Sequence, residues 1–408
     1  MGIRAAEHRD VTTQASLAAT SRSIPRSVWL LGLVSMLMDI SSEMVQTLLP
    51  LYLVTGLGAS AITVGLIEGL AVATAMVTRL FAGVLSDWSG QRKPLILLGY
   101  GLAALSRPIV PLADTVGWIA GARFLDRVGK GIRSAPRDAL IADVTPPELR
   151  GASFSLRKSL DTVGGFIGPL VAIALMLLTG NNFSTVFWIA AIPALIAVAV
   201  IVVGIQEPIG RSAGKGGERP RLAALIQLGP GVWAVIGLCA VLTFARFSEA
   251  FLLLKAQQAG FALAWIPLIL VLMHLVYGLT AYPVGVLSDR IGRNGMLAMS
   301  LVFLIGADLV LAFAQTPALL LAGIVLWGLH MGFSQGILAT LIADRAPAAA
   351  RGTAFGALNL ATGLAVLAGN LIAGILWESY GAAATFLNGA AFAALALIGF
   401  LLIGRRRH

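Results

Sequence analysis

The chain has 408 residues, of which 58% are hydrophobic and only 12% charged, with a net charge of +10. A soluble domain carries roughly twice that charged share, so soluble globular domains are excluded as the main architecture. Apolar residues fall in long blocks without period-2 alternation, which argues against an outer-membrane barrel and leaves helices.

Residues 1–27 are polar and rich in Ser, Thr and Arg, and read as a disordered cytoplasmic tail. They lack the short apolar core and small-residue cleavage site of a signal peptide, so no cleavage is expected. Twelve apolar blocks follow, starting near Val28, Ala61, Pro94, Gly117, Gly151, Thr185, Gly231, Ala262, Gly295, Ala318, Gly352 and Ala382. Each approaches the ~20 residues that a bilayer core requires of a helix. The expected fold is an all-α integral membrane protein of twelve transmembrane helices. Residues 28–205 form one six-helix bundle and 231–404 a second. A cytoplasmic linker, 206–230, separates them, and a basic tail, 405–408, ends the chain.

Basic residues collect in every second connection: Arg92 and Lys93, Arg150, Lys215 and Arg219, Arg290 and Arg293, Arg345 and Arg351, then Arg405, Arg406 and Arg407. The intervening connections near Gly56, Ala113, Gly180, Gln315 and Ser379 hold none. This positive-inside pattern predicts that both termini lie in the cytoplasm, with the chain in a bacterial inner membrane. The basic excess then faces an anionic leaflet rather than nucleic acid.

The halves repeat. Gly83-Val84-Leu85-Ser86-Asp87 recurs at half-chain spacing as Gly285-Val286-Leu287-Ser288-Asp289, and Leu140-Ile141-Ala142-Asp143 recurs as Leu341-Ile342-Ala343-Asp344. Ser42-Glu43 has a counterpart in Ser248-Glu249. Equal helix counts make these parallel repeats about an axis along the membrane normal, an arrangement that encloses a site near the midplane.

These residues carry a resemblance to the major facilitator superfamily over about Val28 to Gly404. The run from Gly83 through Asp87, Gly90 and Arg92 to Lys93 is similar to its G-x-L-x-D-x-x-G-x-R/K-R/K signature, with a degenerate copy ending at Asp289 and Arg293. The resemblance implies that Asp87, and in the second copy Asp289, latch the two halves on the cytoplasmic side. Asp87 is also expected to pair with Arg92. The run Gly164-Gly165-Phe166-Ile167-Gly168-Pro169 resembles the G-x-x-x-G-P part of the family's antiporter motif, associated with export. Ala172 and Ile173 stand where that motif has a later Gly-Gly. Gly164, Gly168 and Pro169 read equally well as small residues that let helices approach.

Charges inside apolar blocks need a reason, since one at a helix centre costs roughly 2.5–3.5 kcal/mol on insertion scales. The fourth block carries Arg123, Asp126, Arg127, Lys130, Arg133 and Arg137, spaced so that all six share one stripe of a helix. Such a stripe belongs beside a wet cavity or in a structural ion-pair network. Arg123 matches the family's arginine on this helix, whereas Asp126 and Arg127 replace a usual glutamine and glycine. Matching depths, at about 1.5 Å per residue, place Asp39 and Glu43 opposite Lys130 and Arg127, with Asp161 nearby. Glu43 is the first candidate for a proton-responsive group. Glu249, beside Arg246 in the seventh block, is the second.

Runs such as Met38-Asp39-Ile40-Ser41-Ser42-Glu43-Met44 and Ala245-Arg246-Phe247-Ser248-Glu249-Ala250 resemble the branch that contains bacterial nickel-resistance efflux permeases. That implies proton-coupled export of a divalent metal such as nickel, with His274 and His330 as candidate ligands beside Glu43, Asp39 and Glu249. A net basic cavity suits drug-like compounds or organic anions as well, and an importer of the same fold stays open. No G-x-x-x-x-G-K-S/T stretch is present, so ATP is not expected as the drive. The four histidines and the single cysteine, Cys239, are too scattered for a catalytic triad. A non-enzymatic transporter without cofactors is expected, with a small solute, protons and the bilayer as partners.

Overall fold

The computed structural model describes residues 24–89, 91–146, 149–205, 229–291, 293–334 and 351–405. It is helical throughout these segments: α1 Arg26–Gln46, α2 Ala61–Ser89, α3 Lys93–Leu112, α4 Val116–Val144, α5 Arg150–Leu178, α6 Phe183–Gly204, α7 Pro230–Ala245, α8 Leu268–Ile291, α9 Arg293–Phe313, α10 Pro317–Ser334, α11 Arg351–Tyr380 and α12 Ala382–Arg405. Eleven spans among the described residues are long and apolar enough to cross a bilayer. The twelfth long helix is α4, 29 residues of which several are charged. Twelve alternating passes put Arg26 and Arg405 at one end of the molecule, called here the terminal end. Ala61, Thr115 and Asn182 lie at the far end. Residues 1–23 of the expected tail (1–27), most of the linker (206–228) and the last three residues lie outside the described residues.

Two helices are broken, which the apolar pattern does not announce. α1 stops at Gln46, where the Thr47 hydroxyl donates to the Glu43 carbonyl at 2.7 Å. Pro50, which has no N–H, follows in the turn Leu49–Leu51, and the chain continues through a wide π turn, Tyr52–Gly56. α7 stops at Ala245, and a short helix, Ala250–Gln258, continues the span. Asn370 of α11 accepts a 2.6 Å hydrogen bond from the freed Ser248 N–H. A break in apolar surroundings survives when a neighbouring helix satisfies the backbone in this way.

Helix packing duplicates. α1 packs on α5 and α6, α2 on α4, and α3 on α4 and α6. Six helices later, α7 packs on α11 and α12, α8 on α10, and α9 on α10 and α12. Between the two sets the contacts are unequal: α2 packs along α11 extensively, whereas α5 only touches α8. Small residues explain the tight side. A Cβ on Gly374 would stand 2.7 Å from the Ala61 carbonyl oxygen, so only glycine lets the backbones approach there. At the same place the Ala61 N–H, at the start of α2, donates to the Glu378 carboxylate at 3.0 Å. The far end is thus closed by α2 and α11, while the seam between α5 and α8 leaves room for a cavity.

Candidate functional site

The stripe on α4 faces the interior and divides between two chambers. The deep chamber, about 360 Å³, is lined by Gln46, Glu68, Arg123, Arg127, Arg246, Phe247, Glu249, Trp327 and Asn370, among others. The second, about 450 Å³, lies nearer the terminal end. Asp39, Glu43, Lys130, Arg133, Arg137, Asp161 and His274 line it together with Asp138, Arg157 and Tyr277.

Arg123, Asp126 and Arg127 form a buried ion network. Glu68 of α2 accepts two hydrogen bonds from Arg123, at 3.1 and 2.8 Å, in a fork that suits the planar guanidinium. Asp126 accepts from Arg107 of α3 at 2.8 Å and lies 3.8 Å from Arg123 and 3.5 Å from Arg127. Arg107 also donates to Ser42 of α1 at 2.8 Å. The network therefore ties α1, α2, α3 and α4 together. It is nearly dry, with Arg107 and Arg123 only 2% and 4% exposed.

The matching depths of Glu43 and Arg127 do not make them partners. Arg127 donates to Gln46, one turn along α1, at 2.7 Å and leans on Asp126 at 3.5 Å. Glu43 instead faces the second chamber, where its Oε2 is buried without a hydrogen bond. The Lys130 ammonium, in the same chamber, makes no hydrogen bond or ion pair with any described residue. Arg133 lies 4.5 Å over the Tyr100 ring, a cation–π contact. Arg137 donates to Ser35 at 2.8 Å and pairs with Asp138 at 3.2 Å. Asp161 accepts from Arg157 at 2.6 Å.

Gly164 and Gly168 set the position of both acids on α1. A Cβ on Gly164 would meet the Met36 carbonyl and the Asp39 Cβ, and one on Gly168 would stand 2.6 Å from the Glu43 Cβ. Pro169 is buried in the next position. Gly168→Ala is expected to force α1 and α5 apart and destabilise the fold by about 1–3 kcal/mol. Gly165→Ala, where nothing lies within 4 Å, is expected to change stability little. The midpoint of SDS-induced unfolding compares the two.

The histidines separate. His274 lines the second chamber with its Nδ1 unpartnered, whereas His330 is fully buried and held by Ser300, with Nδ1 to Oγ at 2.8 Å. The two histidines expected as metal ligands thus sit in different surroundings, and Ser300 engages the Nδ1 of His330 while its Nε2 is unpartnered. Among the described residues no three His, Cys, Asp or Glu side chains converge as a metal would need.

At the loop after α2, Gly83 packs 3.6 Å (as a built Cβ) from Ala135. Arg92 donates to the Ser86 hydroxyl and lies 3.6 Å from Asp143. Gly90 and the side chains of Asp87, Asp289 and Arg293 lie outside the described residues. Several charged residues escaped the reading of the sequence, Glu68, Arg107, Arg157 and Asp308 among them. Arg107 and Asp308 are isolated charges inside apolar blocks, and Glu68 shares its block only with Arg79, which was a usable signal. Asp308, on α9, is fully buried with neither oxygen hydrogen-bonded, beside Gly389.

A two-chambered charged cavity between duplicated six-helix sets is a transporter's architecture, and the family model described as Major Facilitator Superfamily matches residues 31–276 and 236–408. The chain belongs to the major facilitator superfamily. An uncharacterized MFS-type transporter of Methanocaldococcus jannaschii, MJ1317, is 30% identical over 390 residues, covering 94% of this chain and 95% of the relative. The inner membrane transport protein YajR of Escherichia coli is 27% identical, covering 91% and 81%. The multidrug resistance protein MdtH of Proteus mirabilis is 30% identical over 176 residues, 43% of this chain and 42% of the relative. Among solved structures, the nucleoside transporter NupG superposes with a TM-score of 0.75 at 15% identity, covering 93% of this chain and 99% of that one. A peptide transporter POT superposes at 0.77 and 15% identity, covering 96% of each. These likenesses establish the fold. As a member of the superfamily the chain is a multi-pass membrane transporter of small solutes and not an enzyme.

Proposed function

We propose that this superfamily member is a proton-coupled exporter of a bacterial inner membrane, and that Glu43 carries the proton. The observation behind this reading is the Glu43 carboxyl itself, buried with one oxygen unpartnered, in a chamber where the Lys130 ammonium has no hydrogen bond or ion pair with a described residue. Such an acid has two ways to be satisfied, a proton or a nearby ammonium, and helix movement decides which is in reach. Asp39 and Glu249 are the neighbouring acids through which a proton enters or leaves. The positive-inside pattern supports a cytoplasmic terminal end, toward which the second chamber lies. Asp87 and Asp289 keep the proposed role of latching the halves there. The glycines that seat α1 on α5 support antiport, and the part-length likeness to MdtH supports export.

For the cargo, the chamber chemistry favours a small organic solute. Both linings are rich in guanidinium groups, and the deep chamber has an aromatic wall in which Phe247 meets Trp327 at 5.5 Å. Nickel remains the second reading because His274 shares its chamber with Glu43 and Asp39. Everted membrane vesicles offered radioactive nickel and a set of tritiated aromatic solutes test the proposal. Accumulation of an aromatic solute that a protonophore abolishes is the expected result. Accumulation of nickel alone replaces the cargo reading, and accumulation indifferent to the protonophore refutes proton coupling.

A further inference from the structure

The interior cations can be accounted for one at a time. Arg107 is held by Asp126 and Ser42, Arg123 by Glu68, Arg127 by Gln46, Arg137 by Asp138 and Ser35, and Arg157 by Asp161, while Arg133 lies on the Tyr100 ring. Among the described residues Lys130 and Lys255 lack such a partner, and so does Arg246, which is the one of the three that lines the deep chamber. Its guanidinium makes no hydrogen bond or ion pair with any described residue, although it lines the deep chamber in the middle of a membrane span. Glu249, three residues on, lines the same chamber, and its carboxylate likewise makes no hydrogen bond or ion pair with any described residue. The two charges bracket the break in α7; they feel each other's field but form no direct ion pair.

Uncompensated charge in a membrane interior is expensive and marks a functional site. A cation and an anion at the same break, neither bonded to a described residue, call for a ligand that carries both signs. Broken helices are where membrane transporters hold such groups, with the start of the second half-helix turned to the ligand. Between and beside the charges stand Phe247 and Trp327, flat apolar surfaces at the chamber wall. The volume of about 360 Å³ lies in the ordinary range for small-molecule pockets.

We infer that Arg246 and Glu249 bind the head of a zwitterionic solute, carboxylate to Arg246 and ammonium to Glu249, with an aromatic or flat apolar body against Trp327 and Phe247. The class is that of an aromatic amino acid or a compound with the same head. This deepens the exporter reading, and it rests on that reading only for the statement that the bound solute is cargo.

The test is equilibrium binding to the full chain in lipid nanodiscs with no gradient present. Tryptophan carries both head charges, tryptamine lacks the carboxylate, and indole-3-propionate lacks the ammonium. Tryptophan is expected to bind at least about tenfold tighter than either singly charged analogue. Arg246→Gln is expected to cost tryptophan about tenfold or more while leaving tryptamine nearly unchanged, and Glu249→Gln to do the reverse with indole-3-propionate. Both variants are checked for wild-type thermal unfolding, and Arg246→Lys is expected to restore part of the affinity. The inference is overturned if either analogue or nickel binds wild type more tightly than tryptophan does. It is equally overturned if folded wild type binds no tryptophan at millimolar concentration, or if the folded variants keep wild-type selectivity. Tryptophan binding without gradient-driven uptake would refute the exporter reading alone. Gradient-driven uptake of some other solute without tryptophan binding would refute this inference alone.

Discussion

Glu68→Ala is expected to destabilise the folded chain by about 3–5 kcal/mol, the usual cost of removing one partner of a buried ion pair. Glu68 accepts both hydrogen bonds of the Arg123 fork, and the pair is 6% and 4% exposed. Without it the nearest acid to Arg123 is Asp126, 3.8 Å away and already engaged by Arg107. The loss is mainly the cost of a stranded guanidinium rather than the net worth of the pair. Replacing both residues with leucine is therefore expected to recover at least half of the stability lost in the single variant. SDS-induced unfolding followed by circular dichroism measures each step. A single variant that loses less than about 1 kcal/mol would show that water or a neighbour takes the place of Glu68.

Glu43→Gln is expected to reduce gradient-driven accumulation at least about tenfold while leaving solute exchange without a gradient near the wild-type rate. Glutamine keeps the shape and the hydrogen-bonding capacity at the Gly168 contact but cannot gain or lose a proton. The fold should be unaffected, because Thr47 bonds to the backbone carbonyl of Glu43 and the side chain makes no hydrogen bond with a described residue. Asp161→Asn makes a contrast. One of its oxygens is held by Arg157 at 2.6 Å although the other is unpartnered, so the change disturbs a defined ion pair, which Glu43 lacks.

Much of the fold is legible in the residues. The expected starts at Ala61 and Ala382 coincide with those of α2 and α12, and those at Val28 and Gly117 fall within two residues of α1 and α4. Long apolar blocks set helix length, and the basic residues mark alternate ends, because bilayer thickness and leaflet charge act on each segment locally. The breaks were not legible. The run from Val235 to Leu254 holds no proline, and what stabilises the gap after Ala245 is Asn370, a residue on another helix.

The site was half legible for a related reason. Helical spacing puts Arg123 through Arg137 on one face, but period alone is silent on how partners divide that face. Glu68 and Arg107 claim its deep part, while Tyr100, Ser35 and Asp138 claim the rest. Depth matching was a good guide for Asp39, Glu43 and Lys130, which share a chamber, and a poor one for Arg127, whose long side chain reaches Gln46 a turn away. His330 shows the same limit, since a histidine in an apolar block looks alike whether it faces a cavity or bonds to Ser300.

Proton movement itself is the most direct test of the proposed mechanism. Everted vesicles containing the chain are energised until a pH-sensitive dye is quenched, and the solute found to accumulate is then added. The account predicts that wild type loses part of the quench on addition, in proportion to solute taken up, and that Glu43→Gln vesicles with the same amount of folded protein do not. Solute uptake by wild type without any change in the dye, or an unchanged response in Glu43→Gln, would contradict it.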